Sequence, residues 1–254
     1  MTAAAALMMA ALSGGPGCEA RDLMPALPQK VNERALLDAA CGPECVVTCP
    51  KYDPDQAEPP QQLFAHYEGA FRCPGRLESI VSLFPCHDAA GMHGVAGTLV
   101  LLRARKPPGK SSRGPRWEQV DTIEHGILNG TCEVVRVAER DVLVCLSAWG
   151  PYQGIMGQSL CVLGAAGQFE IDCPLSASDS CNAGLEDTFS AGIESWRVDP
   201  PQAGAIPVRA SIKRAGCDGQ GARLLEAVVL IDADGARLSP ETVELLKKVD
   251  VGQQ

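Results

Sequence analysis

Cys41, Cys45 and Cys49 form the densest cysteine cluster in this sequence, with three residues between successive thiols. Thiolates converging on one ion would make a metal or iron–sulfur centre. The spacing matches neither the common zinc nor the ferredoxin patterns, so disulfides to other parts of the chain are the better reading. A second cluster, Cys86-His87-Asp88 with His93, could supply metal ligands or a thiol nucleophile beside its base. Adjacent residues on an extended strand point to opposite faces, which separates Cys86 from His87 unless a turn intervenes. A disulfide cysteine next to a loop histidine is the simpler account.

Asp232-Ala233-Asp234-Gly235 has the look of half a calcium loop, but Glu241 lies too near to act as the late acidic ligand. The same residues read better as a tight turn between an apolar strand and Ala236-Arg237-Leu238. No Gly-x-Ser-x-Gly, His-Glu-x-x-His or glycine-rich phosphate loop is present. No catalytic residue, metal or cofactor is therefore assigned. The one candidate contact surface is Trp149-Gly150-Pro151-Tyr152-Gln153-Gly154, where Trp149, Tyr152 and Gln153 would bind a ligand. The chain has only 3 Trp and 3 Tyr, so two of them within four positions is a concentration of rigid contact area. A Trp folded in to plug the end of a sheet is the competing reading.

Composition narrows the setting. Twelve cysteines run from Cys18 to Cys217 without a Cys-x-x-Cys pair, the distribution of disulfides in an oxidising compartment. The net charge of -9 argues against nucleic acid as a partner, since phosphate binding needs a basic footprint. Ala3 to Leu12 is a short apolar run, followed by Ser13-Gly14-Gly15-Pro16-Gly17-Cys18. It is too short to span a bilayer and reads as a signal-peptide core. It resembles a bacterial lipoprotein signal. The resemblance implies a signal-like segment at 1–18, lipidation of Cys18 as the one membrane attachment, and an extracytoplasmic location (periplasm, outer-membrane lipoprotein or secreted).

The remaining chain must supply the framework. Residues 19–75 read as an irregular, Cys-rich N-terminal region. It holds one amphipathic helix over 30–40, stopped at Cys41-Gly42-Pro43, a Pro-rich loop at 53–60, and a segment at 61–71 that fits helix or strand. Residues 76–254 read as an antiparallel β domain. Strands are expected at 77–84, 97–104, 117–123, 132–138, 141–147, 158–164, 168–172, 193–198, 206–213 and 224–231. Ser239-Pro240-Glu241 then starts a C-terminal helix, with Val243, Leu246 and Val249 docking it on the sheet.

Three stretches share a strand–loop–strand plan: LESIVSLFPCHDAAGMHGVAGTLVLLRA, RDVLVCLSAWGPYQGIMGQSLCVLGAAG and PVRASIKRAGCDGQGARLLEAVVLIDADG. In this coarse plan the tract resembles the FG-GAP-type propeller repeats of exported bacterial proteins, without their acidic calcium loop. The fold class is thus mostly β, built of antiparallel meander or hairpin repeats in a propeller-like or sandwich arrangement, with a short N-terminal and a C-terminal helix.

Counting outward from a turn at Ala138-Glu139 in CEVVRVAERDVLVC pairs Val137 with Arg140, Arg136 with Asp141 and Cys132 with Cys145. The same logic around Gly167 sets Cys161 opposite Cys173. A pairing between hairpins, Cys145 with Cys161, is the rival. The function these features suggest is an exported, non-catalytic binding or envelope-structural module, its partner an unknown protein or envelope component. An extracytoplasmic hydrolase assembled from Asp88, His87 and His125 is the alternative, and a thiol-redox or metal protein using Cys41, Cys45 and Cys49 the third.

Overall fold

The computed structural model describes residues 18, 23–24, 31–46, 61–86, 97–107, 114–124, 130–184, 188–249 and 251, without the side chains of Glu44, Trp149, Pro151 and Tyr152. The apolar run at 3–12, His87, Asp88, His93, His125 and Cys49 lie outside the described residues.

The chain is mostly β. A five-stranded mixed sheet is ordered β1-β2-β3-β4-β5. Its strands are β1 (Cys45–Val46), β2 (Gln61–Gly69), β3 (Glu78–Pro85), β4 (Thr98–Arg105) and β5 (Arg116–Glu124). Only β1 pairs in parallel, with β2. An eight-stranded antiparallel meander runs β6 (Cys132–Val137), β7 (Arg140–Tyr152), β8 (Ile155–Leu163), β9 (Ile171–Asp179), β10 (Phe189–Val198), β11 (Ile206–Gly216), β12 (Arg223–Asp232) and β13 (Gly235–Leu238). The three similar stretches are the hairpins β3–β4, β7–β8 and β11–β12. The last two share one continuous sheet, so they are not separate propeller blades.

Three apolar layers hold the sheets. Helix α1 (Glu33–Ala40) is started by Asn32, whose side chain accepts from Arg34 N and Ala35 N. It buries Leu36 and Leu37 against Val81, Leu83, Val100 and Leu102 of the smaller sheet. The opposite face of that sheet presents Ile80, Leu99 and Leu101 to Leu143, Cys145, Cys161 and Leu163 of the larger one. Val142, Val144, Leu160 and Val162 point the other way, into a core shared with β9 to β12. Strands β4 and β7 are thus covered on both faces, which is why their sequences read as unbroken apolar runs rather than alternating ones.

Helix α2 (Pro240–Leu246) starts at Ser239, whose hydroxyl accepts from Thr242 N. Leu246 and the following Val249 pack on the core, but Val243 is exposed and does not dock. At Asp232-Ala233-Asp234-Gly235 the chain makes the hairpin turn between β12 and β13. The Asp232 carboxylate is taken up by Asp234 N and Arg237, which leaves no calcium cradle.

Five disulfides join described cysteines: Cys18–Cys73, Cys41–Cys45, Cys132–Cys145, Cys161–Cys173 and Cys181–Cys217. Cys86 is also disulfide-bonded. Two expectations need correction. The Cys18 sulfur is bonded to Cys73, and a sulfur so bonded cannot also carry a lipid thioether. Cys41 and Cys45 bond each other rather than distant cysteines, because Gly42, at φ +66, opens a single 3-10 turn that sets their Cα atoms 5.8 Å apart. Disulfides in this number suggest an oxidising, extracytoplasmic location.

Candidate functional site

The aromatic segment singled out in the sequence lies at the far end of the β7–β8 hairpin. Pairing of the two strands is regular from Leu143–Leu163 to Trp149–Gly157, then shifts before resuming at Tyr152–Ile155. Gly150 (φ +98) and Pro151 cause the shift, since the first permits a left-handed backbone and the second lacks the N–H a regular ladder needs. Gln153 (φ +49) and Gly154 (φ +83) then close a two-residue turn with both central residues left-handed, which matches the twist of the flanking strands. Gly154 also seats the turn: a Cβ there would lie 2.2 Å from the Asn182 carbonyl oxygen.

The opposite wall arises from a break in the meander. Strands β9 and β10 are paired only at Asp179–Ser190, after which β10 departs. Past that point the Ser178 N–H donates to the Val251 carbonyl instead of to β10. Gln158 reaches across, its Oε1 accepting from Ile193 N at 2.7 Å. Asp179 fixes the corner: Oδ1 accepts from Cys181 N at 2.9 Å and Oδ2 from the Ser190 hydroxyl at 2.8 Å. The Cys181–Cys217 disulfide ties the following loop to the end of the β11–β12 hairpin.

Between these walls opens a cleft of about 400 Å³, within the range of small-ligand pockets. Its lining combines Gly150, Gly157 and Gly192 with Gln158, Asp179 and Met156, the last half exposed. Glycines leave backbone groups open to a ligand, while Met156 offers a soft, adaptable apolar contact. Among the described lining residues Asp179 is the one ionisable side chain, and its oxygens already hold Cys181 and Ser190. This arrangement can hold a molecule, and its one hydroxyl–carboxylate contact, Ser190 on Asp179, ties β10 to β9 at the corner of the cleft.

Of the sequence-predicted contact residues, the backbone of Trp149 and Tyr152 belongs to β7 beside the cleft, with side chains outside the described set. The Gln153 side chain is exposed at the turn. The residues the sequence reading missed, Met156, Gln158, Asp179 and Ser190, come from three strands that only the tertiary fold brings together. The Gly-rich stretch GIMGQ is the one available hint.

A second groove of about 610 Å³ lies between α2 and the outer faces of β11 and β12, lined by Pro207, Val228, Leu230 and Leu245. Arg209 spans its floor, bonding Asp199 at 2.8 Å and Glu226 at 2.5 Å. The hydrogen bond from Arg209, then that from Arg197, holds the Asp199 carboxyl below its ordinary range. These groups satisfy one another and read as a surface ion network.

No group of three or more His, Cys, Asp or Glu side chains among the described residues is placed to hold a metal ion. No described helix is long and apolar enough to cross a membrane. Compared with family models, curated proteins and solved structures, the chain matches none.

Proposed function

We propose that this chain is an exported, non-catalytic binding or envelope-structural module that contacts its partner through the cleft at the end of the β7–β8 hairpin. The observation that carries this reading is the cleft itself. It is a concave surface with glycine walls, a half-exposed methionine and a carboxylate already committed to hydrogen bonds, anchored by a disulfide on one side. Such a surface is built to be rigid and to present backbone and apolar contact area, which is how partners are held. The partner is a protein or another envelope component. Residues 1–17 would direct export. The Cys18–Cys73 bond favours a periplasmic or secreted chain over a lipid-anchored one.

The test uses a photo-crosslinking amino acid at position 156 in cells producing the full chain, with position 224 as the control. Leu224 is 66% exposed on β12 and lies outside the cleft lining, two strands beyond Gly192 in the same cross-strand row. A discrete adduct at 156 and none at 224 is the expected result. Equal labelling at both positions, or none at 156, removes the cleft from the proposal.

A further inference from the structure

Four half-cystines stand in one row across β6, β7, β8 and β9. Cys132 is opposite Cys145, and Cys145 is opposite Cys161. Cys161 faces the bulge where Cys173 and Pro174 occupy one position, between the pairs Leu160–Leu175 and Val162–Asp172. The disulfides close the two outer gaps and leave the central one, between Cys145 and Cys161, unbonded. Cys145 and Cys161 belong to the same buried cluster, so both side chains leave the sheet on one face.

The ladder fixes the central spacing. Leu146 N donates to Thr131 O, which makes Thr131–Leu146 a hydrogen-bonded pair and the next pair, Cys132–Cys145, a narrow non-hydrogen-bonded one. The Cα separation of 4.1 Å agrees. The N–H and C=O of Cys145 must then point to β8, so Cys145–Cys161 is a hydrogen-bonded pair with Cα atoms roughly 5.5 Å apart, inside the range a disulfide spans. Thiol–disulfide exchange proceeds by in-line attack of a thiolate on one sulfur of a disulfide, expelling the other. A row running straight across the strands supplies that line: attacker, central sulfur and leaving sulfur come from three successive strands.

We infer that this row is a disulfide-exchange site, with a third state that joins Cys145 to Cys161. Entry is at Cys173, whose side chain is exposed, whereas Cys145 and Cys161 are buried. An external dithiol attacks the Cys173 sulfur, forming a mixed disulfide and expelling the Cys161 thiolate. Cys161 attacks the Cys145 sulfur, forming Cys145–Cys161 and expelling the Cys132 thiolate, which takes up a proton. The second thiol of the reagent then resolves the mixed disulfide and releases Cys173. The external dithiol is oxidised by two electrons, and the protein exchanges two disulfides for one disulfide and two thiols. Both thiols end on the outer strands of the row, and β6 and β9 lose their covalent ties to their neighbours.

Two single variants of the full chain test this. In Cys173→Ser one thiol is left over, starting on Cys161. Alkylation in acid after equilibration, followed by non-reducing peptide mapping, is expected to find a Cys145–Cys161 cystine. In every molecule that has exchanged, the label falls on Cys132, the sulfur expelled when Cys161 joins Cys145. In Cys132→Ser the mirror exchange is expected to move the label from Cys145 to Cys173. Label confined to Cys161 in the first variant and to Cys145 in the second, with no Cys145–Cys161 peptide in either, overturns the inference. Each variant loses a half-cystine at the end of the row, and a Cys145–Cys161 cystine in either one supports the exchange.

Discussion

Glu78 and Arg103 are directly opposite each other on β3 and β4, and both are removed from solvent, at 0% and 4% exposure. Arg103 donates from Nε and one terminal nitrogen to Glu78 Oε1 at 3.0 and 2.9 Å. Glu78 Oε2 accepts from Arg72 N and Cys73 N, which positions the segment carrying the Cys18–Cys73 bond. Removing one member of such a pair leaves a buried charge without its counterion. Arg103→Met is expected to lower stability by about 3–5 kcal/mol in urea titration. The double variant with Glu78→Gln, which keeps an acceptor for the two N–H groups but no charge, should be more stable than Arg103→Met alone. Additive losses would show that the pair is not coupled.

Ala138 begins the two-residue turn between β6 and β7 at φ +52. An L-residue in that conformation carries a penalty of roughly 1–2 kcal/mol that glycine avoids, against a smaller loss from the freer unfolded chain. Ala138→Gly should therefore raise stability by roughly 1 kcal/mol, read as a higher melting temperature. A lower one would mean that the turn tolerates alanine without strain.

Acid sensitivity should centre on two carboxylates. Asp199 is held low by hydrogen bonds from Arg209 and Arg197, and Asp232 by its hydrogen bond from Arg237. A carboxyl whose folded pKa lies below its unfolded value of about 4 stabilises fully above that pH, and loses the contribution as pH falls through the folded value. The melting temperature should fall below about pH 4, and Asp199→Asn should show a shallower fall between about pH 5 and 3 than the parent. An identical fall in both would remove Asp199 from the account.

Much of the β framework is legible in the residues because the strands are long and their turns are marked. The pairing Cys132–Cys145 follows from counting outward from a two-residue turn, and the structure has that register. Cys161–Cys173 forms despite a loop of the wrong parity because Pro174, unable to donate to a ladder, absorbs one residue in a bulge. Gln61–Gly69 is ambiguous as sequence because both its faces are half-buried and give no alternation; it is strand β2. The two-residue β1 leaves no periodic signal at all. The propeller-like resemblance comes from real hairpins, but hairpin sequence does not specify which sheet a hairpin joins. The cleft is least legible, since its walls depend on β10 leaving β9 after one residue pair, which nothing local encodes.

Export and cystine cross-linking are tested together by producing the full chain with its own N-terminus, treating intact cells with a thiol-specific mass tag, and fractionating. The expected result is chain outside the cytoplasm that takes up no tag until reduced, and unreduced peptides linking Cys132 to Cys145, Cys161 to Cys173 and Cys181 to Cys217. Folded chain confined to the cytoplasm with its thiols tagged would contradict it.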